Sequence, residues 1–110
     1  MCTMGIREAI TIDVLVRLRT GFYQTTPCRM QSTRSEIVLT PQDHGTQQRP
    51  IMIDADDIVS ISLLRKKVPE IEIETESETY RCLLDPSIDL PKLLSVIEDT
   101  IGTTILIRTL

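Results

Sequence analysis

The sequence predicts a mostly β (α+β) domain: an antiparallel β-barrel or strongly bent sheet of about seven strands, with one amphipathic helix after them. Three observations carry this. Ile10, Ile12, Val14, Val16 and Leu18 alternate with Thr11, Asp13, Leu15, Arg17 and Arg19, the period of two that marks a half-buried strand. Short β-prone stretches then recur up to Leu84, separated by Gly, Pro and Asp signals. After them, Leu90, Leu93, Leu94, Ile97 and Ile101 form a single apolar helical face. Aromatics make up 3% of the chain and Trp is absent, so the core must come from Ile, Leu and Val, a bias that favours strands.

The elements follow in order. Gly21 ends the first strand. A second runs from about Phe22 to Gln31, and Pro27 within it points to an edge position or a bulge, because proline donates nothing to a ladder. Glu36–Thr40 is a third strand, closed by Pro41. The polar stretch from Gln42 to Arg49 holds the turn signal Asp43, His44 and Gly45. Ile51–Ile53 is short, and Asp54, Asp56 and Asp57 bend the chain into the strand from Ile58 to Leu64. Arg65, Lys66 and Lys67 make a basic turn before a hairpin from Ile71 to Leu84. Strands so close in sequence join as an antiparallel meander. Asp89 is suited to cap the helix, Pro91 to its first turn and Gly102 to its end. Thr103–Leu110 reads as an extra short strand or as a frayed continuation of the helix.

With 110 residues, 41% apolar and 25% charged, the chain is expected to form a single globular domain over 1–110, with strands within about 8–84, the helix at 89–101 and the extra strand at 103–109. The net charge of −4 argues against a nucleic-acid partner. That charge is uneven: residues 1–34 carry five Arg against Glu8 and Asp13, a net of +3, which leaves −7 on the rest. Cys2, Cys28 and Cys82 show neither metal-type spacing nor an even disulfide framework, so reduced thiols and a cytoplasmic location are expected. No signal peptide precedes Ile6, and no apolar run is long enough to span a bilayer.

Three pieces carry a family resemblance: the strand Glu36-Ile37-Val38-Leu39-Thr40, the Asp56-Asp57-Ile58 step within Ile53 to Leu63, and the hairpin Ile71–Leu84 followed by the helix Leu90–Ile101. In that order, over about two thirds of the chain, the sequence resembles the pleckstrin-homology-like superfold, in particular its bacterial PH-like and GRAM-like groups. The match lies in packing pattern rather than catalytic motif. The resemblance implies a seven-stranded antiparallel layout with a C-terminal helix, and a binding role. The strand at 103–110 lies beyond that basic layout.

Some members of the superfold hold phosphoinositides with basic residues around the first hairpin. Here Arg17 and Arg19 share one face of the first strand, where two guanidiniums can clamp a phosphate, and Arg29 and Arg34 can join them if the second strand pairs beside the first. The upstream Lys of that pattern is absent. Cyclic dinucleotide-binding barrels of the PilZ type use an Arg pair and a later Asp-x-Ser-x-x-Gly. Arg29 and Arg34 are one residue too far apart for that, and Asp57 is followed by Ser60 with no Gly. The plainer reading of the arginines is a solvated strand face.

The remaining polar clusters read as structural. Glu70, Glu72 and Glu74 form a carboxylate stripe, set for cross-strand ion pairs with the basic residues nearby. Asp54, Asp56 and Asp57 lack the Gly and Glu of a calcium loop. His44 is the only histidine, and no nucleophile elbow, phosphate loop or metal-helix motif accompanies it. No catalytic residue, metal site or cofactor is therefore expected.

The expected function is a non-catalytic binding module that engages a protein partner or a second copy, giving a homo-oligomer, through a sheet edge or the apolar strand Ile105, Leu106 and Ile107. That strand has no obvious partner in a closed barrel. The alternative is an anionic-ligand module, for a lipid headgroup or cyclic nucleotide, that uses the arginines. The acidic balance disfavours a membrane surface without ruling one out.

Overall fold

The structure, a computed structural model, describes residues 12–22, 24–42 and 49–109. The described strands are β1 (Ile12–Arg19), β2 (Thr25–Ser32), β3 (Glu36–Pro41), β4 (Ile51–Asp54), β5 (Ile58–Arg65), β6 (Glu70–Thr75), β7 (Thr79–Leu84) and β8 (Ile105–Thr109), with the helix α1 (Leu90–Ile101) before the last. They form one sheet in the order β4-β3-β2-β1-β7-β6-β5-β8, which leaves β4 and β8 at its two edges. The sheet does not close into a barrel.

Neighbours from β4 through β5 pair antiparallel, as a meander requires. β8 does not: it runs parallel to β5, with Ile61 opposite Ile105 and Leu63 opposite Ile107. The eight described strands are the seven expected and the extra one after the helix, and one expectation is corrected: the last strand has a partner inside the chain. A parallel pairing needs a long crossover, which β6, β7 and α1 supply.

The inner face follows the alternation seen in the sequence. Ile12, Val16 and Leu18 of β1 meet Cys28 and Met30 of β2, Ile37 and Leu39 of β3, Ile61 and Leu63 of β5, and Ile71 and Ile73 of β6 in one aliphatic core. Burying each such side chain stabilises the fold by about 1.5–3 kcal/mol. Pro27 lies in β2, an interior strand, rather than at an edge. It is tolerated because it faces β3 at the fringe of the ladder, where its carbonyl accepts the Gln42 N–H at 2.9 Å and at most one donor is lost.

α1 covers the core from the side of β1 and β2. Asp89 caps it, its Oδ1 accepting the Lys92 N–H at 3.3 Å, and Pro91 sits in the first turn. Leu93 and Ile97 are buried against the sheet, and the Ser32 and Thr100 hydroxyls meet at 3.0 Å where helix and β2 touch. Gly102 ends the helix at φ 81, a left-handed conformation that costs an L side chain but not glycine. The reversal at Gly102 sends the chain back along β5 as β8. Asp54, Asp56 and Asp57 form a short 3-10 turn in which Asp54 Oδ1 accepts the Asp56 N–H at 2.9 Å. The expectations on Cys2, His44 and the start of the first strand at Ile10 lie outside the described residues.

Candidate functional site

The backbone of β8 faces two ways, and the sheet's hydrogen bonds determine which residues face where. The Leu84 N–H donates to Pro69 O and the Thr75 N–H to Glu78 O, both at 2.8 Å. Residues 69, 71, 73 and 75 therefore turn their backbone groups to β7. Glu70, Glu72 and Glu74, in between, turn theirs to β5, where they pair with Leu64, Ser62 and Ser60. That leaves Ile61, Leu63 and Arg65 facing β8. With Leu63 opposite Ile107, its parallel partners are the backbone groups of Leu106 and Arg108. Ile105, Ile107 and Thr109 therefore point their N–H and C=O groups away from β5, into the open edge.

One of those outward donors is occupied. The Ile105 N–H donates to Glu98 Oε2 at 2.9 Å, which agrees with the orientation just derived. Among the described residues the edge thus offers the N–H and C=O of Ile107 and Thr109, and the C=O of Ile105.

The side chains of the predicted interaction strand divide. Ile105 is buried in the core, whereas Leu106 and Ile107 are 52% and 58% exposed. Successive residues point to opposite faces, so β8 beyond Ile105 is apolar and open on both. Arg108 reaches Glu72 at 3.8 Å, and Arg81 approaches the same carboxylate at 3.0 Å.

Arg17, Arg19 and Arg29 lie on the exposed outer face of β1 and β2, and Arg34 stands apart from them. Arg29 Nε and Nη2 donate to the two Asp13 oxygens at 2.6 and 2.9 Å, a fork on the outer face; this bond holds the guanidinium proton more tightly than usual. Arg19 lies 3.5 Å from Glu70, whose buried carboxylate also accepts Lys66 Nζ at 2.7 Å. Arg17, with Leu15, Pro27, Leu83, Asp85 and Pro86, lines an open groove of about 780 Å³. Arg34 sits in the turn after β2, near the Ile12 end of the hairpin and about 20 Å along the strands from Arg17.

The two described cysteines are free and buried. Burial pushes the Cys82 thiol up to about 12, helped by Cys28 and Glu70, and raises Cys28 as well. Burial thus favours the protonated form of both thiols. Among the described residues, no three His, Cys, Asp or Glu side chains gather in a way that could hold a metal ion. No helix among them is long and apolar enough to cross a membrane.

Sequence reasoning missed Glu98, the burial of Glu70 and the β5–β8 pairing. Nothing local to Glu98 signals that its carboxylate meets a backbone donor seven residues on. Glu70 looked like one member of a solvated stripe, but the basic turn folds back over it.

No protein-family model matches the chain, and no curated protein matches it in sequence. Solved structures do match. One is the structure of the Spt16D Pob3N heterodimer, with a TM-score of 0.70 and 14% identity, over 92% of this chain and 55% of that one. Another is the solution structure of the N-terminal PH domain of human ARAP2, with a TM-score of 0.66 and 8% identity, over 83% of this chain and 78% of that one. The chain has a pleckstrin-homology-like fold. It spans about half the length of the first of these structures, and at such identities the likeness is one of fold. β1–β7 followed by α1 is the layout that the sequence resemblance implied, and β8 adds one parallel strand to that sheet.

Proposed function

We propose that the chain is a non-catalytic, PH-like binding module that engages another polypeptide through the open edge of β8. The observation that carries this is the outward N–H and C=O of Ile107 and Thr109, flanked by exposed Leu106 and Ile107. An edge strand with free donors and aliphatic side chains is a template for adding another strand. One similar structure is of a heterodimer, which fits a role in assembly. Anion binding by the first-strand arginines has less support, because Asp13 and Glu70 already face Arg29 and Arg19.

The test uses Thr109→Pro, which removes an outward donor and no bond to β5. Tagged wild-type and Thr109→Pro chains are expressed in cells that make the protein, and the recovered proteins, including untagged copies of the chain, are quantified. The wild type is expected to retain at least one partner that Thr109→Pro loses. Identical recoveries by the two chains count against the edge.

A further inference from the structure

The occupant of that edge can be specified, on the assumption that the edge reading holds. We propose that a second copy of the chain pairs with the first, β8 antiparallel to β8, about a two-fold axis at Ile107, so that the two sheets become one.

The hydrogen-bonding groups are self-complementary in this register. Ile107 turns both its N–H and its C=O outward, so two copies of Ile107 exchange two bonds across the axis. Thr109 of each copy then lies opposite Ile105 of the other, and each Thr109 N–H donates to an Ile105 C=O, which adds two more. No bond in the register needs the Ile105 N–H, which stays with Glu98 Oε2 at 2.9 Å in both copies.

Bond count and charge choose this register over its neighbours. A two-fold keeps each face of one sheet continuous with the same face of the other, and the neighbouring registers that do so are centred on Leu106 and Arg108. About Leu106, with the Ile105 N–H held by Glu98, only two bonds form within β8, from each Ile107 N–H to the other copy's Ile105 C=O. About Arg108, the two copies of Arg108 stand directly opposite each other, a like-charge pair that the register about Ile107 avoids. The register about Ile107 makes four bonds and leaves the charge-assisted bond to Glu98 in place.

The side chains agree. Ile107, at 58% exposure, meets its own counterpart across the axis. Leu106, at 52%, lies opposite Arg108, whose aliphatic stem can cover it while the guanidinium stays in water near Glu72. The two apolar side chains exposed on β8 are covered, and no carboxylate is buried. A second copy presents these same groups in reverse order by symmetry alone.

A pair of short strands covers little surface, and interfaces below about 1,200 Å² are generally weak. The dimer is therefore a concentration-dependent equilibrium. Sedimentation equilibrium of the purified full chain, from about 10 µM to 1 mM given that weak class, tests it beside Ile107→Pro and Thr109→Pro. Both prolines delete outward donors and leave the β5 ladder intact.

The wild-type mass is expected to rise toward twice the monomer value. Each proline chain should dissociate at least tenfold more readily, with an unchanged circular dichroism spectrum. If Ile107→Pro loses the fold, Thr109→Pro carries the test. A wild-type chain that stays monomeric throughout overturns the proposal, as do proline variants that associate like wild type. A monomeric chain whose Thr109→Pro variant still loses a cellular partner overturns the second copy and leaves the edge reading standing.

Discussion

The Glu98 carboxylate, in the last turn of the helix, accepts the backbone N–H of Ile105 at 2.9 Å. A helix side chain thereby anchors the first residue of an edge strand. The bond is charge-assisted and partly shielded, so it contributes more than a solvent-exposed contact.

Glu98→Ala should lower stability by about 1.5–3 kcal/mol, the range for a hydrogen bond to a charged group. For a domain of this size that is a drop of roughly 4–8 °C per kcal/mol in the melting temperature. Thermal unfolding at low concentration measures it, and amide exchange at Ile105 should accelerate in step. An unchanged exchange rate at Ile105 would show that the bond does not hold in solution.

The orientation of the β8 backbone makes proline a directional probe. Arg108→Pro removes a donor to β5 and should destabilise the monomer by about 2–3 kcal/mol, near the cost of a proline in a hydrogen-bonded position. Thr109→Pro, one residue on, should change monomer stability by less than about 0.5 kcal/mol. Urea unfolding of the two variants at equal low concentration checks the order. Equal losses would mean that the facing derived for residues 105–109 is wrong.

Glu70 and Asp13 both carry ion pairs, but in different surroundings. The Glu70 side chain is 4% exposed and meets Lys66 at 2.7 Å; Asp13 and Arg29 are 41% and 51% exposed. Lys66→Ala should cost about 1.5–3 kcal/mol, because it removes the nearest donor from a buried carboxylate. Arg29→Gln should cost clearly less than that and should matter less still as salt is added. A double-mutant cycle on each pair compares them, and a coupling at Asp13–Arg29 as large as at Lys66–Glu70 would overturn the ranking.

The buried thiol sets an alkaline limit. Cys82 is pushed up to about 12 in the folded chain, whereas an unfolded cysteine titrates near 8.5. As pH rises past the unfolded value, the unfolded chain loses its proton first and is favoured, so stability falls between about pH 8.5 and 12. Below that window the thiol adds no pH dependence. Tyr80, raised by burial and by Glu78, acts in the same sense at the upper end. Urea midpoints from pH 8 to 11 should decline more gently in Cys82→Ala than in wild type, and parallel declines would rule the thiol out as the cause.

Much of the fold was legible because its signals are local. The alternation from Ile12 to Leu18 gives both the strand and its buried face. The Asp89 cap, Pro91 and Gly102 mark the helix ends that the structure has. What was not legible is non-local. Ile105-Leu106-Ile107 is apolar whether it pairs within the chain or outside it, and nothing in those residues encodes the parallel match to Ile61 and Leu63. Pro27 misled for a related reason: its effect depends on where the neighbouring strand ends, which its own surroundings do not show. The candidate site was legible as a strand, but its open groups emerge only when hydrogen bonds are traced across four strands.

The parallel pairing of β8 with β5 has a consequence in time. Ile61 and Leu63 leave the ribosome well before Ile105 and Ile107, with two strands and a helix made in between. Pairings so distant in sequence form late, since the intervening chain must first be ordered. Until then β5 is itself a bare margin of the sheet, exposed to any neighbouring nascent chain. Substitutions that slow the turn at Gly102 should therefore reveal themselves first as lower soluble yield during synthesis, before any loss of equilibrium stability is measurable.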